Sequence, residues 1–99
     1  MLNMEKKLEN DLLTVALTGR LDTITAPELE KELQGSLDSV KDLVLDFNGF
    51  EYISSAGLRV LLSAQKVMNK KGTMKVLHVN DTIMEIFEVT GFSDILTIE

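Results

Sequence analysis

Two adjacent serines, Ser54 and Ser55, are the residues of this sequence whose type and position could carry chemistry. They lie in the segment 50–58, which joins a predicted strand to a predicted helix. A helix N-terminus offers free N–H groups and partial positive charge, so a phosphate on Ser55 would be tolerated there without unfolding the helix. Serine is also a preferred helix N-cap, and either residue could serve that purpose alone. The residues by themselves leave phosphorylation and capping as alternatives.

Residues for enzymatic chemistry are sparse elsewhere. The chain has no cysteine and one histidine, His78, which falls in a strand pattern where a packed or surface imidazole is expected. Ser55 has no Gly-x-Ser-x-Gly motif around it, and the sequence contains neither a set of metal ligands nor a Gly-rich phosphate loop. We therefore expect no enzymatic activity and no bound cofactor or metal.

Charge is unevenly distributed along the chain. The formal net charge is -6, yet no Asp or Glu occurs between Ser54 and Asn80, where five of the ten basic residues lie. These are Arg59, Lys66, Lys70, Lys71 and Lys75. An acidic chain is not expected to bind nucleic acid, because that affinity comes mainly from Lys and Arg. The basic residues of the helix could meet acidic groups of a partner or form a solvated face.

Composition predicts one folded domain in the cytoplasm. The chain has 99 residues, of which 44% are hydrophobic and 26% charged, as in ordinary globular domains. No stretch approaches the roughly 18 apolar residues that span a bilayer, and the first residues lack the pattern of a signal peptide. We expect a single domain over residues 1–99 without membrane insertion.

Three strands are predicted in the first half of the chain. Strict alternation over 13–17 predicts a half-buried strand closed by Gly19, and a weaker strand over 4–8 precedes it as a hairpin partner. The apolar run 43–47 predicts a central strand buried on both faces and ended by Asn48-Gly49.

Helix starts are predicted from capping patterns. Thr25 and Glu28 have the spacing of a capping box, and Ile24 would pack on Leu29 as a hydrophobic staple. Thr82 begins the same spacing at the start of a later helix.

The second half of the chain continues this alternation of helix and strand. A helix from Leu58 ends at 70–72, a strand covers 74–79, a further helix ends at Gly91, and a short strand covers 95–98. The order β-β-α-β-α-β-α-β requires right-handed crossovers between parallel neighbours. The sequence therefore predicts an α/β fold whose sheet is largely parallel.

The segment 52–58 resembles the phosphorylation loop of STAS-domain anti-sigma factor antagonists, whose usual form is Asp-Ser-(Ser/Thr/Ala)-Gly-Leu. When the two are aligned on Gly57-Leu58, the phosphoserine of the family falls on Ser55, with Ser54 as the alternative. Ser54 also replaces the usual acid, and Ala56 fills the variable position. This departure bears on recognition by a kinase and on the choice between the two serines.

Two further segments carry the same resemblance, which covers essentially the whole chain. Gly19-Arg20-Leu21-Asp22, with Thr25-Ala26, is similar to the Gly-x-Leu-Asp segment of the family, and Val89-Thr90-Gly91-Phe92 is similar to its closing helix. The resemblance implies a single STAS-like α/β domain with a mixed, mostly parallel five-stranded sheet. It also implies that the helices pack chiefly on one side.

The resemblance implies a function in transcription control. The unphosphorylated form would bind an anti-sigma factor that is often a serine kinase and release a sigma factor, phosphorylation would block binding, and a serine phosphatase would reset the switch. The implied partner-binding residues are Asp22, Thr23, Ser54, Ser55, Ala56, Gly57, Leu58 and Arg59. Asp22 could instead be a solvated turn carboxylate. Asp46 could bond the phosphorylation loop or face water at a strand end.

Two other functions within the same fold stay open. A STAS subunit can brace a membrane transporter or a lipid-trafficking ATPase, and such a subunit needs no phosphate. A STAS domain can also be a module of a larger stress-signalling platform.

Overall fold

The structure is a computed structural model that describes residues 2–99. Its five strands form one sheet in the order β1-β2-β3-β4-β5, with β1 antiparallel to β2 and all other neighbours parallel. In chain order the elements are β1 (Leu2–Glu9), β2 (Leu12–Leu21), α1 (Ala26–Ser36), β3 (Asp42–Ile53), α2 (Ser55–Asn69), β4 (Thr73–Leu77), α3 (Asp81–Thr90) and β5 (Thr97–Ile98), with 3-10 turns at Leu37–Ser39 and Phe92–Asp94. The predicted order of elements is confirmed.

The three helices pack on one face of the sheet. Each strand-helix-strand unit moves one strand further in the same direction, and right-handed crossovers then place every helix on the same side. Burial along β3 agrees, because Leu43 and Leu45 are buried while Val44 and Asp46 are only half-buried. The expectation that this strand is buried on both faces was therefore wrong. Its second face carries no helix.

One hydrophobic core fills the space between the sheet and the helices. Phe47 of β3 and Phe87 of α3 are fully buried, and their ring centroids are 6.3 Å apart. Full burial of a side chain of this size contributes about 1.5–3 kcal/mol. These contacts fix α3 on the centre of the sheet.

Both central strands are longer than predicted. β2 continues past Gly19 to Leu21, and β3 continues past Asn48-Gly49 to Ile53. The two strands stay paired through two register shifts, at each of which β3 carries one residue more than β2. Such bulges let a strand continue through residues that elsewhere end it. As a result, β2 and β3 extend together to a common edge.

The start of α3 also differs from the prediction. Asn80, and not Thr82, caps this helix, since its side-chain oxygen accepts from the N–H of Ile83 at 2.8 Å. The Asn80 amide nitrogen also donates to the carbonyl of Phe50 at 2.7 Å, which links the start of α3 to β3. The predicted end of the helix at Gly91 is confirmed.

Among residues 2–99, no helix combines the length and the apolar character that spanning a membrane requires.

Candidate functional site

The two segments that the sequence singled out meet at the carboxyl ends of β2 and β3. Leu21 and Ile53 are register partners at these ends. The N–H of Ser54 donates to the carbonyl of Leu21 at 2.8 Å. This hydrogen bond holds the loop that follows β2 beside the first turn of α2.

Ser54 and Ser55 have different roles in that first turn. Ser54 is the N-cap of α2, and its hydroxyl accepts from the N–H of Gly57 at 3.5 Å, a long and therefore weak hydrogen bond. The helix begins at Ser55, three residues before the predicted start at Leu58. The side chain of Ser55 is exposed, and its hydroxyl makes no hydrogen bond within the described part of the chain.

Gly57 brings α2 into close contact with both strands. A Cβ atom at this position would lie 2.7 Å from Cγ of Leu21 and 2.8 Å from Cγ1 of Ile53. Leu58, which follows it, is buried in the core. The structure therefore places these two predicted partner-binding residues inside the molecule, where they position the exposed serine.

Asp22 organises the loop between β2 and α1. Its Oδ1 accepts from the N–H groups of Ile24 and Thr25, each at 3.0 Å. Hydrogen bonds from the N–H of Thr25, followed by those from the Ile24 N–H and the Thr25 hydroxyl, hold the pKa of this carboxyl below its usual value against the opposing effect of burial. The carboxylate is thus charged at neutral pH but faces its own loop.

Thr25 does not cap α1 through its side chain, so the predicted capping box with Glu28 is wrong. The Thr25 hydroxyl instead donates to the carbonyl of Arg20 and accepts from the N–H of Asp22, both at 2.9 Å. The side chain is only 6% exposed. This buried hydroxyl therefore joins the start of α1 to the end of β2.

Ile24 was predicted to pack on Leu29, and this prediction is wrong. Leu29 is fully buried, whereas the Ile24 side chain is 83% exposed at the tip of the loop beside Thr23. The turn formed by the Asp22 carboxylate directs Ile24 away from the helix. An Asp followed three residues later by Thr is the sequence signal that could have indicated this turn.

Two cationic side chains lie on the elements that form the site. Arg59 lies four residues after Ser55, on the same face of α2, and both are exposed. Arg20 of β2 lies over the ring of Tyr52 on β3, with 4.8 Å between the guanidinium carbon and the ring centroid. Sequence reasoning missed this second cation, because the pair forms across two strands. Lys66 and Lys70 lie at the other end of α2.

Asp46 is not part of the site. Its carboxylate hydrogen-bonds the Nδ1 of His78 at 2.8 Å and accepts from the N–H of Asn48 at 2.9 Å. Neither group belongs to the segment 50–58 that carries the two serines. The side chain of His78 is 59% exposed, in agreement with the expected surface imidazole. Within residues 2–99 no group of three or more His, Cys, Asp or Glu side chains could hold a metal ion.

Comparison with known proteins agrees with this architecture. A family model described as the STAS domain matches residues 3–99. The chain is 31% identical to the anti-sigma-B factor antagonist of Staphylococcus aureus over 97 residues, which make up 96% of this chain and 90% of that protein.

Solved structures of anti-sigma factor antagonists share the fold. One from Mycobacterium paratuberculosis superposes with a TM-score of 0.89 at 22% identity and covers 99% of this chain and 85% of that one. The unphosphorylated form of SpoIIAA superposes with a TM-score of 0.85 at 14% identity and covers 98% of this chain and 88% of that one. A phosphorylated form of SpoIIAA has also been solved, with a TM-score of 0.77.

Proposed function

This chain belongs to the STAS-domain family of anti-sigma factor antagonists, and we propose that it captures an anti-sigma factor in its unphosphorylated form and thereby frees a sigma factor. Phosphorylation of Ser55 abolishes the capture. The partner is an anti-sigma factor that is itself a serine kinase, and a serine phosphatase restores the binding form. The protein acts in the cytoplasm by binding and has no catalytic role.

The different environments of the two serines carry this proposal. The hydroxyl of Ser54 is engaged as the N-cap of α2, whereas Ser55 is exposed in the first turn. A kinase needs a free hydroxyl, so Ser55 is the better acceptor. Ser54 takes the place of the acid in the family pattern and keeps the capping role that an aspartate would also fill.

A phosphate on Ser55 would change the charge of the surface and leave the fold intact. It adds about two negative charges next to the positive end of the α2 dipole and four residues before Arg59. Both features stabilise an anion, so the helix would persist. The surface that the partner contacts would become anionic, and a partner with an acidic or apolar matching surface would be repelled.

The contact surface consists of the loop at Asp22 and Thr23 together with the first turn of α2. Ser54, Ser55, Ala56 and Arg59 contribute accessible side chains, while Gly57 and Leu58 support them from below. All of these residues lie at one edge of the sheet, where β2 and β3 end. Such an edge is the usual place for binding sites in α/β sheets.

The test is a pull-down from the source organism with wild-type, Ser55→Ala and Ser55→Asp baits, together with intact-mass analysis of the chain purified from cells. Ser63→Asp is the matched control, because Ser63 is an exposed serine on the same helix two turns further on. We expect a species heavier by about 80 Da with the phosphate on Ser55. We also expect an anti-sigma kinase that wild type, Ser55→Ala and Ser63→Asp retain and that Ser55→Asp loses.

Two results would contradict the proposal. Retention of the same kinase by the Ser55→Asp bait would show that a negative charge at position 55 does not abolish binding. A transporter or lipid-trafficking subunit retained equally by all four baits, with no phosphate on the cellular protein, would favour the accessory-subunit function instead.

A further inference from the structure

We propose that β1 pairs with the β1 strand of a second copy of this chain, so that the two five-stranded sheets join into one continuous sheet. The two copies are related by a two-fold axis that is normal to the sheet and passes beside Lys6. This inference goes beyond the proposed function, because it concerns an edge of the sheet that carries neither serine.

The outer edge of β1 is a long strand edge without a neighbour. β1 has eight residues and pairs only with β2, and within residues 2–99 its backbone forms no hydrogen bond outside that pairing. An antiparallel edge strand points half of its N–H and C=O groups outward, where another strand can bind them. Helix α1 leaves this edge open, since Lys6 and Glu32, which bond each other at 2.6 Å, each keep 42% of the side chain exposed.

Symmetry restricts how two copies of β1 can pair. Leu8 is the register partner of the buried Leu13, so the even-numbered residues of β1 face the helices. The odd-numbered Glu5 and Lys7 lie on the helix-free face. A two-fold axis normal to the sheet keeps the helices of both copies on one side, so it pairs even-numbered with even-numbered residues and odd with odd.

One of the allowed registers makes the side chains of β1 complementary to themselves. With Lys6 opposite Lys6 of the second copy, Glu5 lies opposite Lys7 and Met4 lies opposite Leu8, and symmetry repeats each pair. Opposite charges and apolar side chains directly across two strands stabilise a sheet. A shift to the next allowed register in either direction places Glu5 opposite Glu5 or Lys7 opposite Lys7, which is unfavourable.

The side chains that would pair lack these contacts within one copy. Leu8 is an apolar residue that is 59% exposed in a largely charged strand, and in the dimer it meets Met4, which already packs against the core. Within residues 2–99 Glu5 forms no ion pair, and Lys7 pairs only with Glu9, at 2.9 Å and with 75% of the lysine side chain exposed. The dimer therefore supplies partners for an exposed apolar group and a carboxylate.

Lys6 is the like-charged contact of this register. Lysines on edge strands commonly discourage pairing with another chain. Each Lys6 ammonium here bonds Glu32 of its own copy, so the charge at the axis is compensated. Lys7 meets a carboxylate, and neither lysine therefore opposes this particular pairing.

Pairing through β1 leaves both Ser55 sites free. Each site lies at the carboxyl ends of β2 and β3, away from the outer edge of β1. Because the two-fold axis reverses the direction of the strands, the two sites lie at opposite ends of the joined sheet. One dimer would thus present two independent sites.

The first experiment measures self-association of the purified chain by sedimentation velocity from micromolar to millimolar concentration. We expect the wild type to dimerise at the upper end of this range and Glu5→Lys to weaken dimerisation about 10-fold or more, because it reverses one charge in each of two symmetric pairs. The double variant Glu5→Lys/Lys7→Glu should restore it. Glu88→Lys is the matched control, an equal charge change on the exposed face of α3 that should stay within about 2-fold of wild type. A thermal melt verifies that each variant is folded.

The second experiment tests the register by disulfide cross-linking, which is unambiguous because the chain has no cysteine. Residues directly opposite in antiparallel strands have Cα atoms about 4.5–5.5 Å apart, within the range of a disulfide. Lys6→Cys should therefore form a cross-linked dimer under mild oxidation. Leu8→Cys is the control on the same strand and face, because its two copies would lie about 14 Å apart along the strands and should cross-link much more slowly.

Three results would overturn the inference. The first is a wild-type chain that stays monomeric at every concentration. The second is a dimer that the folded Glu5→Lys variant retains within about 2-fold, which would assign self-association to another surface. The third is cross-linking of Leu8→Cys as fast as that of Lys6→Cys, since it would exclude the register centred on Lys6. None of these results bears on capture of an anti-sigma factor, so the proposed function is tested separately.

Discussion

Thr25 illustrates how one hydroxyl can order a loop that presents other side chains. It is 6% exposed and bonds the Arg20 carbonyl and the Asp22 N–H, so it satisfies two backbone groups at once. A buried backbone group without a partner is costly, and this accounts for a polar side chain in the interior. The exposed residues of the loop depend on this buried one.

Replacement of Thr25 by valine should destabilise the domain. Thr25→Val keeps the volume but leaves the two backbone groups without their partner, at a cost of about 1–3 kcal/mol in the free energy of unfolding. Urea titration followed by circular dichroism measures this loss. Thr23→Val is the matched control, because Thr23 is exposed in the same loop, and we expect a change within about 0.5 kcal/mol. Equal effects of the two variants would contradict the role given to the Thr25 hydroxyl.

Asp22 should make the stability of the domain depend on pH in acid. Its pKa is lowered in the folded state by hydrogen bonds from the Thr25 and Ile24 N–H groups. A group with a lowered folded pKa stabilises the fold above its unfolded pKa and loses this contribution as the pH falls through the folded value.

The comparison that tests this is Asp22→Asn against wild type from pH 7 down to pH 2. The variant should be less stable at pH 7, and the difference should narrow below about pH 4, where the unfolded carboxyl takes up its proton. Chemical denaturation at each pH gives the two free energies of unfolding. A difference that stays constant with pH would show that the charge of Asp22 does not stabilise the loop.

At the scale of the elements, local patterns predicted the order of strands and helices but not all of their ends. Gly19 and Asn48-Gly49 resemble strand terminators, yet β2 and β3 pass through them because each strand supplies the other with hydrogen-bond partners. A bulge depends on that pairing, so it cannot be deduced from one strand alone. The capping errors at Thr25 and Thr82 have a similar cause, since Asn80 reaches a carbonyl on a different element.

The candidate site was predictable to the same degree. Ser54, Ser55 and Arg59 are close in sequence, so helical spacing alone places them in one region. The Arg20–Tyr52 pair requires the register of two strands, and the exposure of Ile24 requires the turn at Asp22. The Arg20–Tyr52 pair depends on tertiary structure and could not be predicted, whereas the turn at Asp22 is local and was indicated by Asp22 followed by Thr25.

Replacement of Gly57, the one glycine of α2, should destabilise the domain. Gly57→Ala would force the first turn away from Leu21 and Ile53, which a Cβ would approach to within 2.7–2.8 Å. Overpacking of this kind costs about 1–3 kcal/mol in the free energy of unfolding. The displacement would also move Ser55 relative to the Asp22 loop, so partner binding should weaken as well.

Gly35 in α1 provides the control, because a Cβ there would meet no atom within 4 Å. Gly35→Ala should stabilise the domain by about 0.4–1 kcal/mol through the lower entropy of the unfolded chain. Urea titration of both variants gives the comparison. A Gly57→Ala domain as stable as Gly35→Ala would mean that α2 can move away from the strands without cost.

At the scale of the whole molecule, the fold separates a rigid body from a site at its edge. All three helices cover one face of the sheet, and a single core joins them to it. The first turn of α2, which carries Ser55, and the loop at Asp22 lie where β2 and β3 end. Gly57 packs that turn directly against the two strands. The residues beneath this edge are tightly packed, so we expect a charge added there to leave their positions unchanged.

Phosphorylation of Ser55 should accordingly act locally. In a ¹H–¹⁵N correlation spectrum of the chain with phosphoserine incorporated at position 55, we expect shifted amide signals only at 22–25 and 54–59, while β1 and α3 keep their positions. The helix should persist, because a phosphate in the first turn is stabilised by the dipole and by the neighbouring Arg59, by about 0.3–1 kcal/mol. Shifts that spread through β1 and α3 would instead indicate a rearrangement of the domain, and the loss of partner binding would then need a conformational explanation.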